Sequence, residues 1–394
     1  AEPHVALRIA DTGALRGMVT DPTLRVPELY MDDRLRIEAG DIYDLIALAR
    51  SNLEGTRATP GATLQNLRRQ ITDAPVLRRV GLRRARGNVA HHYDLDERLY
   101  RLFLDRDMQY SCAYFEEPDY TLEQAQLAKK RLIAAKLLIR PGARVLDIGS
   151  GWGGMALYLA RVCGARVTGI TLSEEQLRVA TERARAAGLS DRVTFRLQDY
   201  REVAETFDNI VSVGMFEHVG LRQYPDYFAA AARLLAPNGV MLLHTMVLPT
   251  PQPYNQPFID KYIFPGGYLP SLSKMTPEVE RAGLLMRDIE ILTLHYAETT
   301  RAWRERFLAR REEAEALYDA RFVRMWEFYL AGSEATFRFD DLHVAHLQLA
   351  HEQTRVPLTR SYIADEMARL KSLEAAIPDY ADLHVAPARR RMTG

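Results

Sequence analysis

Val145-Leu146-Asp147-Ile148-Gly149-Ser150-Gly151-Trp152-Gly153-Gly154 runs from an apolar strand into a cluster of glycines and on toward a helix. Glycine lets the backbone turn sharply and approach a ligand closely, and open α/β sheets bind their ligands at the carboxyl ends of their strands. A tight turn with no ligand would use the same residues, so the spacing has to decide. The glycines follow G-x-G-x-G, not the G-x-G-x-x-G of a dinucleotide site. The next strand ends in Thr171-Leu172-Ser173, where a dinucleotide site would carry an acid.

Outward from this loop the chain alternates. Strands are predicted over 144–148, 166–170, 192–197, 209–213 and 240–245, with helices over 153–161, 174–187 and 225–235. Such alternation calls for a parallel sheet covered on both faces. Upstream, apolar residues recur at helical spacing from Thr121 to Ile139, and Thr121 stands where an N-cap belongs. Residues 249–274 are rich in Pro, Gly and aromatics without periodicity, and read as a long insertion or lid.

At 394 residues the chain exceeds the size at which one core stops growing, which predicts a main domain and a smaller one. The division expected is a small N-terminal module over 1–60, which the family resemblance given below makes lipid-binding in type, an Arg-rich linker over 61–90 and a main domain over 91–394, which the same resemblance makes the catalytic one. Seven arginines (Arg68, Arg69, Arg78, Arg79, Arg83, Arg84, Arg86) face one acid, Asp73, in that linker. They form either a solvated face or a landing patch for anionic head groups, each worth about 1 kcal/mol near such a surface.

Basic and acidic residues balance at 52 each, and 47% of the chain is hydrophobic, which excludes a disordered or nucleic-acid-coating protein. Cys112 and Cys163 are too few for a disulfide framework, so a reducing, cytoplasmic setting is expected. No apolar run reaches the roughly 18 residues of a membrane span, and no signal-peptide pattern opens the chain, so a membrane substrate would be reached from the surface. His91 and His92 are adjacent, which is not a metal-ligand spacing; they read as fixing a loop over the active site. No nucleophile elbow supports Ser-His-Asp catalysis.

A strand ending in Asp-x-Gly-x-Gly resembles the methyltransferase version of the glycine site, and Gln198-Asp199-Tyr200 after the third strand suits an adenine edge. Asp199 would accept from the adenine amino group and Tyr200 would pack on the ring. The cofactor expected is S-adenosylmethionine.

Three further strings stand in order: His91-His92-Tyr93-Asp94, Gln109-Tyr110-Ser111-Cys112-Ala113-Tyr114-Phe115, and Ser212-Val213-Gly214-Met215-Phe216-Glu217-His218-Val219-Gly220. With the glycine loop they resemble the cyclopropane fatty-acyl-phospholipid synthase family, including its mycolic-acid relatives. The resemblance continues through Leu242-Leu243-His244-Thr245, the string from Phe258 to Gly267, and His295-Tyr296 with Thr300 and Trp303. It covers residues 90 to 350, and Tyr30-Met31-Asp32 looks like part of the family's N-terminal domain.

The resemblance implies a class I S-adenosylmethionine-dependent methyltransferase fold, Rossmann-like, with a mostly parallel seven-stranded sheet and a small N-terminal domain. It implies that the alkene of an unsaturated phospholipid acyl chain attacks the sulfonium methyl, and that a bound bicarbonate then removes a proton so that a cyclopropane ring closes. Cofactor contacts carry over to Tyr110, Ser111, Gly149, Gly151, Trp152, Gly153, Thr171, Leu172, Gln176, Gln198, Asp199 and Tyr200. The bicarbonate set carries over to Cys112, Glu217, His244 and Tyr296, with the backbone at Met246. The family also implies a homodimer, peripherally associated with the inner face of a phospholipid bilayer.

Each of these residues has a plainer reading. Cys112 alone would be a small buried hydrophobe, His244 a satisfied core histidine and Tyr296 ordinary packing. Glu217 follows the apolar run that ends at Phe216 and sits near the ligand edge of the sheet on any reading. Where many relatives carry a cysteine after Tyr-Leu-x-x, this chain has Tyr329-Leu330-Ala331-Gly332-Ser333, which excludes a thiolate at that position. The alternatives are C-methylation giving a methyl- or methylene-branched chain, and an inactive lipid- or nucleotide-binding relative, which would be expected to lose Glu217 or the glycine loop.

Overall fold

The computed structural model describes residues 5–52, 63, 65, 68, 69 and 96–384. The expected linker over 61–90 lies almost wholly outside the described residues. So do Arg78, Arg79, Arg83, Arg84 and Arg86, and the string His91, His92, Tyr93 and Asp94.

Two short antiparallel strands, β1 (Ala6–Ile9) and β2 (Leu35–Ala39), flank the helices α1 (Thr12–Thr20) and α2 (Pro22–Met31), and α3 (Ile42–Asn52) follows. Asp11 caps α1 by accepting from the Ala14 N–H, and Pro22 opens α2 where a missing N–H costs nothing. Next come α4 (Glu97–Phe103) and α5 (Leu122–Leu137). Thr121 and Gln124 close a reciprocal capping box on α5, and Leu138, in the left-handed region at φ 53°, ends it. The predicted helix is thus confirmed but stops short of Ile139.

The sheet is built from β3 (Arg144–Ile148), β4 (Arg166–Thr171), β5 (Val193–Leu197), β6 (Phe207–Val213), β7 (Leu235–Val247), β8 (Leu285–Leu292) and β9 (His343–Ala350). Their order is β5-β4-β3-β6-β7-β9-β8, and β9 alone runs against the rest. The connecting helices are α6 (Gly154–Val162), α7 (Glu174–Ala186), α8 (Tyr224–Leu234), α9 (Leu272–Arg281), α10 (His295–Ala309), α11 (Arg311–Leu317) and α12 (Ala320–Phe339). Two more, α13 (Ser361–Ala375) and α14 (Pro378–Ala381), close the described chain.

Val145, Val167, Val211 and Leu242 pack against α5, α6 and α13 on one face of the sheet. Leu146, Ile170, Ile210 and Leu243 pack against α8 and α9 on the other. These strands are buried on both faces, as a parallel sheet under helices requires. The alternation in the sequence accounts for β3 to β7, whereas β8 and β9 were implied only by the resemblance. Their polar positions hide them: β8 exposes Leu285, Ile289 and Ile291, and β9 buries His346 and Gln348.

Residues 249–274 are not one irregular lid. Phe258 and Ile263 are buried around a single π-helical turn (Ile259–Ile263), and the last three residues already belong to α9. Lys261 and Tyr262 of this turn donate to Glu28 of α2 at 2.7 and 3.0 Å. The N-terminal elements also dock on α12, where Tyr30 and Ile42 meet Ala331 and Phe328. Arg321 pairs with Asp32 at 2.8 Å and Arg324 donates to the Met31 carbonyl, so the Tyr30-Met31-Asp32 string is a docking edge. Arg69, expected in the basic patch, instead gives its guanidinium to Asp21 at 2.7 Å and to Thr23.

The far end of the chain is tied down by charge. Glu374 of α13 is fully buried and accepts from Arg131 of α5 at 2.7 Å and from the Tyr158 hydroxyl of α6 at 2.6 Å. Removing one partner of such a pair leaves a buried, uncompensated charge, so Glu374→Ala should lower stability by roughly 3–5 kcal/mol. Urea unfolding checks this, and an unchanged midpoint would show that the pair does not hold α13.

Candidate active site

The strand sequence reverses its direction of travel between β3 and β6, and a cavity opens there at the carboxyl ends of the parallel strands. Gly149 and Gly151 form its floor, with φ of 80° and 52°. A Cβ at Gly149 would lie 2.7 Å from Met215, so only glycine lets these two segments meet. A Cβ at Gly151 would meet nothing within 4 Å, because that position faces open cavity. Trp152 lines the wall beside them.

Gly153 is the exception among the twelve expected cofactor contacts. It does not line the cavity: its left-handed backbone (φ 86°) starts α6, and a Cβ there would strike Phe195 at 2.8 Å and Ala180 at 3.0 Å. Its smallness serves close packing of the loop against α7 and β5, not approach to a ligand.

At the end of β4, Thr171, Leu172 and Gln176 line the cavity. The Thr171 hydroxyl donates to the Gln176 side chain at 2.7 Å, and Ser173 caps α7 by accepting from the Gln176 N–H. At the end of β5 stand Gln198, Asp199 and Tyr200. Both Asp199 oxygens accept from the Arg201 guanidinium at 2.8 Å, and that guanidinium lies 5.4 Å from the centre of the Tyr200 ring. An ionised carboxylate keeps further lone pairs, so Asp199 can still accept from a ligand.

Tyr110 and Ser111 form the opposite wall, and Met108 before them sits at φ 57°, a strained setting for a side chain without a local polar group. Their support comes from α5. Lys129, fully buried, donates to the Gln109 side chain at 2.7 Å and to the Ser111 hydroxyl at 2.8 Å, while Gln126 donates to the Ser111 carbonyl. The Tyr110 hydroxyl pairs with that of Tyr329 at 2.7 Å.

Asp147 and His218 also line the cavity and were not foreseen. One oxygen of Asp147 is buried without a protein partner. An acid inside an apolar strand, one residue from its end, is the signal that could have found it. His218 follows Glu217, and burial pushes its imidazole down to about 4, so it is neutral.

The second expected group lies behind this cavity, toward β9. Val213 and Gly214 line the cavity, and the Gly214 N–H donates to the His244 carbonyl on the next strand. Alternation puts His244 and Met246 on one face of β7. Glu217 is buried, and one of its oxygens accepts from the Met246 N–H at 2.7 Å. Its other oxygen has no protein partner. Burial holds the Glu217 carboxyl above its usual range.

Cys112, Met246 and Tyr296 share one apolar cluster with Leu292 and Val344. Burial raises the Cys112 thiol, so it is a neutral thiol that donates to the Ala113 carbonyl at 3.2 Å. Tyr296 stacks on Phe337 with ring centres 4.3 Å apart. The structure therefore joins Glu217 to Met246, and Met246 to Cys112 and Tyr296. It commits the Met246 amide to Glu217, not to a ligand. Among the described residues no three His, Cys, Asp or Glu side chains converge to hold a metal ion.

The chain is similar to known proteins. The family described as mycolic acid cyclopropane synthetase matches residues 81–347. The chain is 39% identical over 338 residues to the cyclopropane-fatty-acyl-phospholipid synthase of Escherichia coli K12, covering 86% of each protein. It is 42% identical over 281 residues to the tuberculostearic acid methyltransferase UfaA1 of Mycobacterium tuberculosis, covering 68% of this chain and 66% of that protein. Among solved structures, the mycolic acid cyclopropane synthase CmaA1 complexed with SAH and CTAB superposes with a TM-score of 0.64 at 34% identity. That match covers 67% of this chain and 97% of CmaA1.

Burial pushes the Asp147 carboxyl up to about 7, against the opposing pull of Lys129. The unfolded chain releases the same proton near pH 4. Between these values the folded state holds a proton that the unfolded state has lost, so this group's contribution to stability falls as pH rises. Asp147→Asn should therefore be more stable than the wild type at about pH 8, by up to on the order of 4 kcal/mol, and the difference should shrink toward pH 4. Guanidinium melts across that range measure it. A difference independent of pH would remove the buried, proton-holding Asp147.

Proposed function

The chain belongs to the mycolic acid cyclopropane synthetase family, and we propose that it transfers a one-carbon unit from S-adenosylmethionine to the double bond of an unsaturated phospholipid acyl chain and closes a cyclopropane ring. It is an S-adenosylmethionine-dependent methyltransferase by family and by fold. The observation that carries the finer reading is Glu217, a buried carboxylate with one oxygen pinned by the Met246 amide and the other without a protein partner.

The cavity suits the cofactor. Gly151 leaves open space, the partnerless Asp147 oxygen offers a buried acceptor, and Tyr110, Trp152, Gln176 and Tyr200 wall the site. The second group suits a small oxyanion that carries its own proton. The free Glu217 oxygen can accept that proton, and His244 and Tyr296 carry donors for the anion, with the Cys112 thiol, which donates to the Ala113 carbonyl, beside Tyr296 in one apolar cluster. When bound, S-adenosylmethionine supplies an electrophilic methyl to the alkene, and bicarbonate supplies the base that removes one proton from that carbon.

The chain's own part is positioning and exclusion of water. Phe103, Trp303 and Trp326 are buried behind Tyr110, and Phe258, Phe264 and Tyr329 belong to the same apolar cluster. A cation developing on an acyl chain in such surroundings is not quenched by solvent. No nucleophilic side chain is required, because the alkene supplies the electrons, and Ser333 in place of a cysteine costs nothing on this route. No described helix is long and apolar enough to cross a membrane, so we place the enzyme at the bilayer surface, taking substrate from one leaflet.

The similarity to a tuberculostearic acid methyltransferase favours one second reading, branching in place of ring closure. Incubation with unsaturated phospholipid and S-adenosylmethionine bearing a trideuterated methyl group separates the outcomes. Ring closure retains two deuteriums and gives upfield ring signals by proton NMR. A methylene branch retains two without those signals, and a methyl branch retains three. Absence of any labelled lipid would remove both readings. In the same assay Glu217→Gln should bind cofactor as the wild type does while turnover falls at least about 100-fold, the scale of a lost acid–base group; normal turnover would take Glu217 out of the site.

A further inference from the structure

Behind His244 lies a buried chain of polar groups that the proposed chemistry has not used. The His244 Nδ1 sits 2.8 Å from Nε2 of His346, its direct partner across the β7–β9 ladder. The Nδ1 of His346 lies 3.1 Å from Nζ of Lys136, on α5. Lys136 also forms an ion pair with Glu290 of β8, itself opposite His346 on β9. Lys136 and His346 are fully buried and His244 nearly so.

The donor and acceptor roles along this chain follow from chemistry. An ammonium only donates, so Nδ1 of His346 must accept and cannot carry hydrogen. The proton of the neutral ring is then on Nε2, which donates to Nδ1 of His244. That in turn leaves the His244 proton on Nε2. Burial holds both imidazoles well below their usual range, and the cations of Lys129 and Lys136 reinforce it, so each ring carries one proton only. Burial lowers the Lys136 ammonium and Glu290 opposes it from within the ion pair, and burial lowers the His295 imidazole as well.

We propose that Lys136 and His346 are positioning residues that lock His244 as its Nε2–H tautomer, so that it presents one fixed N–H donor to the anion pocket beside Glu217. The pocket's occupant rests on the reading of Glu217 given above; the lock on His244 does not. A neutral histidine with an unconstrained tautomer would present a lone pair to an anion for part of the time and repel it. A hydrogen bond made by one ring nitrogen fixes which tautomer a functional histidine presents at the other.

Two-bond proton–nitrogen NMR on protein labelled with 15N-histidine reads the tautomer directly, with His244→Asn assigning the signal. The wild type should show His244 protonated on Nε2 alone, and His346→Gln, whose amide reaches to where Nε2 was, should retain that pattern and most of the activity. His346→Leu and Lys136→Met should mix the tautomers. In both, the bicarbonate concentration for half-maximal turnover should rise about tenfold or more, the scale of one lost hydrogen bond to a charged group. Saturating bicarbonate should recover kcat. Resting wild-type His244 protonated on Nδ1, or an unchanged tautomer in His346→Leu, would overturn the proposal, and the wild-type spectrum decides even if a variant fails to fold. If the tautomers behave as stated while the rate ignores bicarbonate in CO2-stripped buffer, the lock stands and the bicarbonate reading falls.

Discussion

Four cations buried along one helix hold the molecule to a single arrangement. Lys129, Lys130, Arg131 and Lys136 of α5 are all inaccessible, and none can stay charged in that setting without partners. Each satisfies itself on a different part of the chain. Lys129 takes the wall of the cavity at Gln109 and Ser111, and Lys130 takes Asp107, which also holds Arg183 of α7. Arg131 takes Glu374 of α13 and Glu116, and Lys136 takes Glu290 and His346 on the antiparallel edge of the sheet. Hydrophobic burial would tolerate α5 rotated or slid along the sheet; ion pairs from three of these cations and the two Lys129 hydrogen bonds, in four directions, do not.

The same constraint sets the electrostatics of the site. Burial, reinforced by the cations of Lys129 and Lys136, holds His244 well below its usual range, and burial raises the Asp147 carboxyl to about 7 and the Glu217 carboxyl above its usual range. Burial thus works against charge at all three positions. Asp107 shows the opposite case. Burial alone would raise its carboxyl, but Lys130 and Arg183 hold it down at about 2, so it remains a structural anion.

Much of this was legible in the residues, and the limits have physical causes. Strand, glycine turn and helix at Val145 to Gly154 were readable because turn chemistry and periodicity are local, and the capping box at Thr121 is equally local. Eleven of the twelve expected cofactor residues line one cavity; nine of them stand at or after the ends of β3, β4 and β5, and Tyr110 and Ser111 come from the loop before α5. Gly153 falls outside that lining, and a glycine needed for packing looks in sequence like one placed beside a ligand. The roles of Lys129, Lys136 and His346 were invisible for a deeper reason. Charge in a helix is read as a solvated face, and only the sheet, the C-terminal helix and the loops together show that α5 has none. His346 lies 102 residues beyond the partner that gives it a role.

The N-terminal elements extend the argument from the core to the rim. Glu28 of α2 binds Lys261 and Tyr262, and a few residues later Pro265 and Gly266 line the cavity. Tyr268 then donates its N–H to the carbonyl of Glu217 itself. One short stretch thus runs from the N-terminal docking edge, along the cavity mouth, to the backbone of the buried carboxylate. Any displacement of α2 on α12 bears first on that stretch, because the Lys261 and Tyr262 contacts are its ties to Glu28. The small N-terminal part of the chain is therefore mechanically continuous with the site, although its own side chains stand outside the cavity lining.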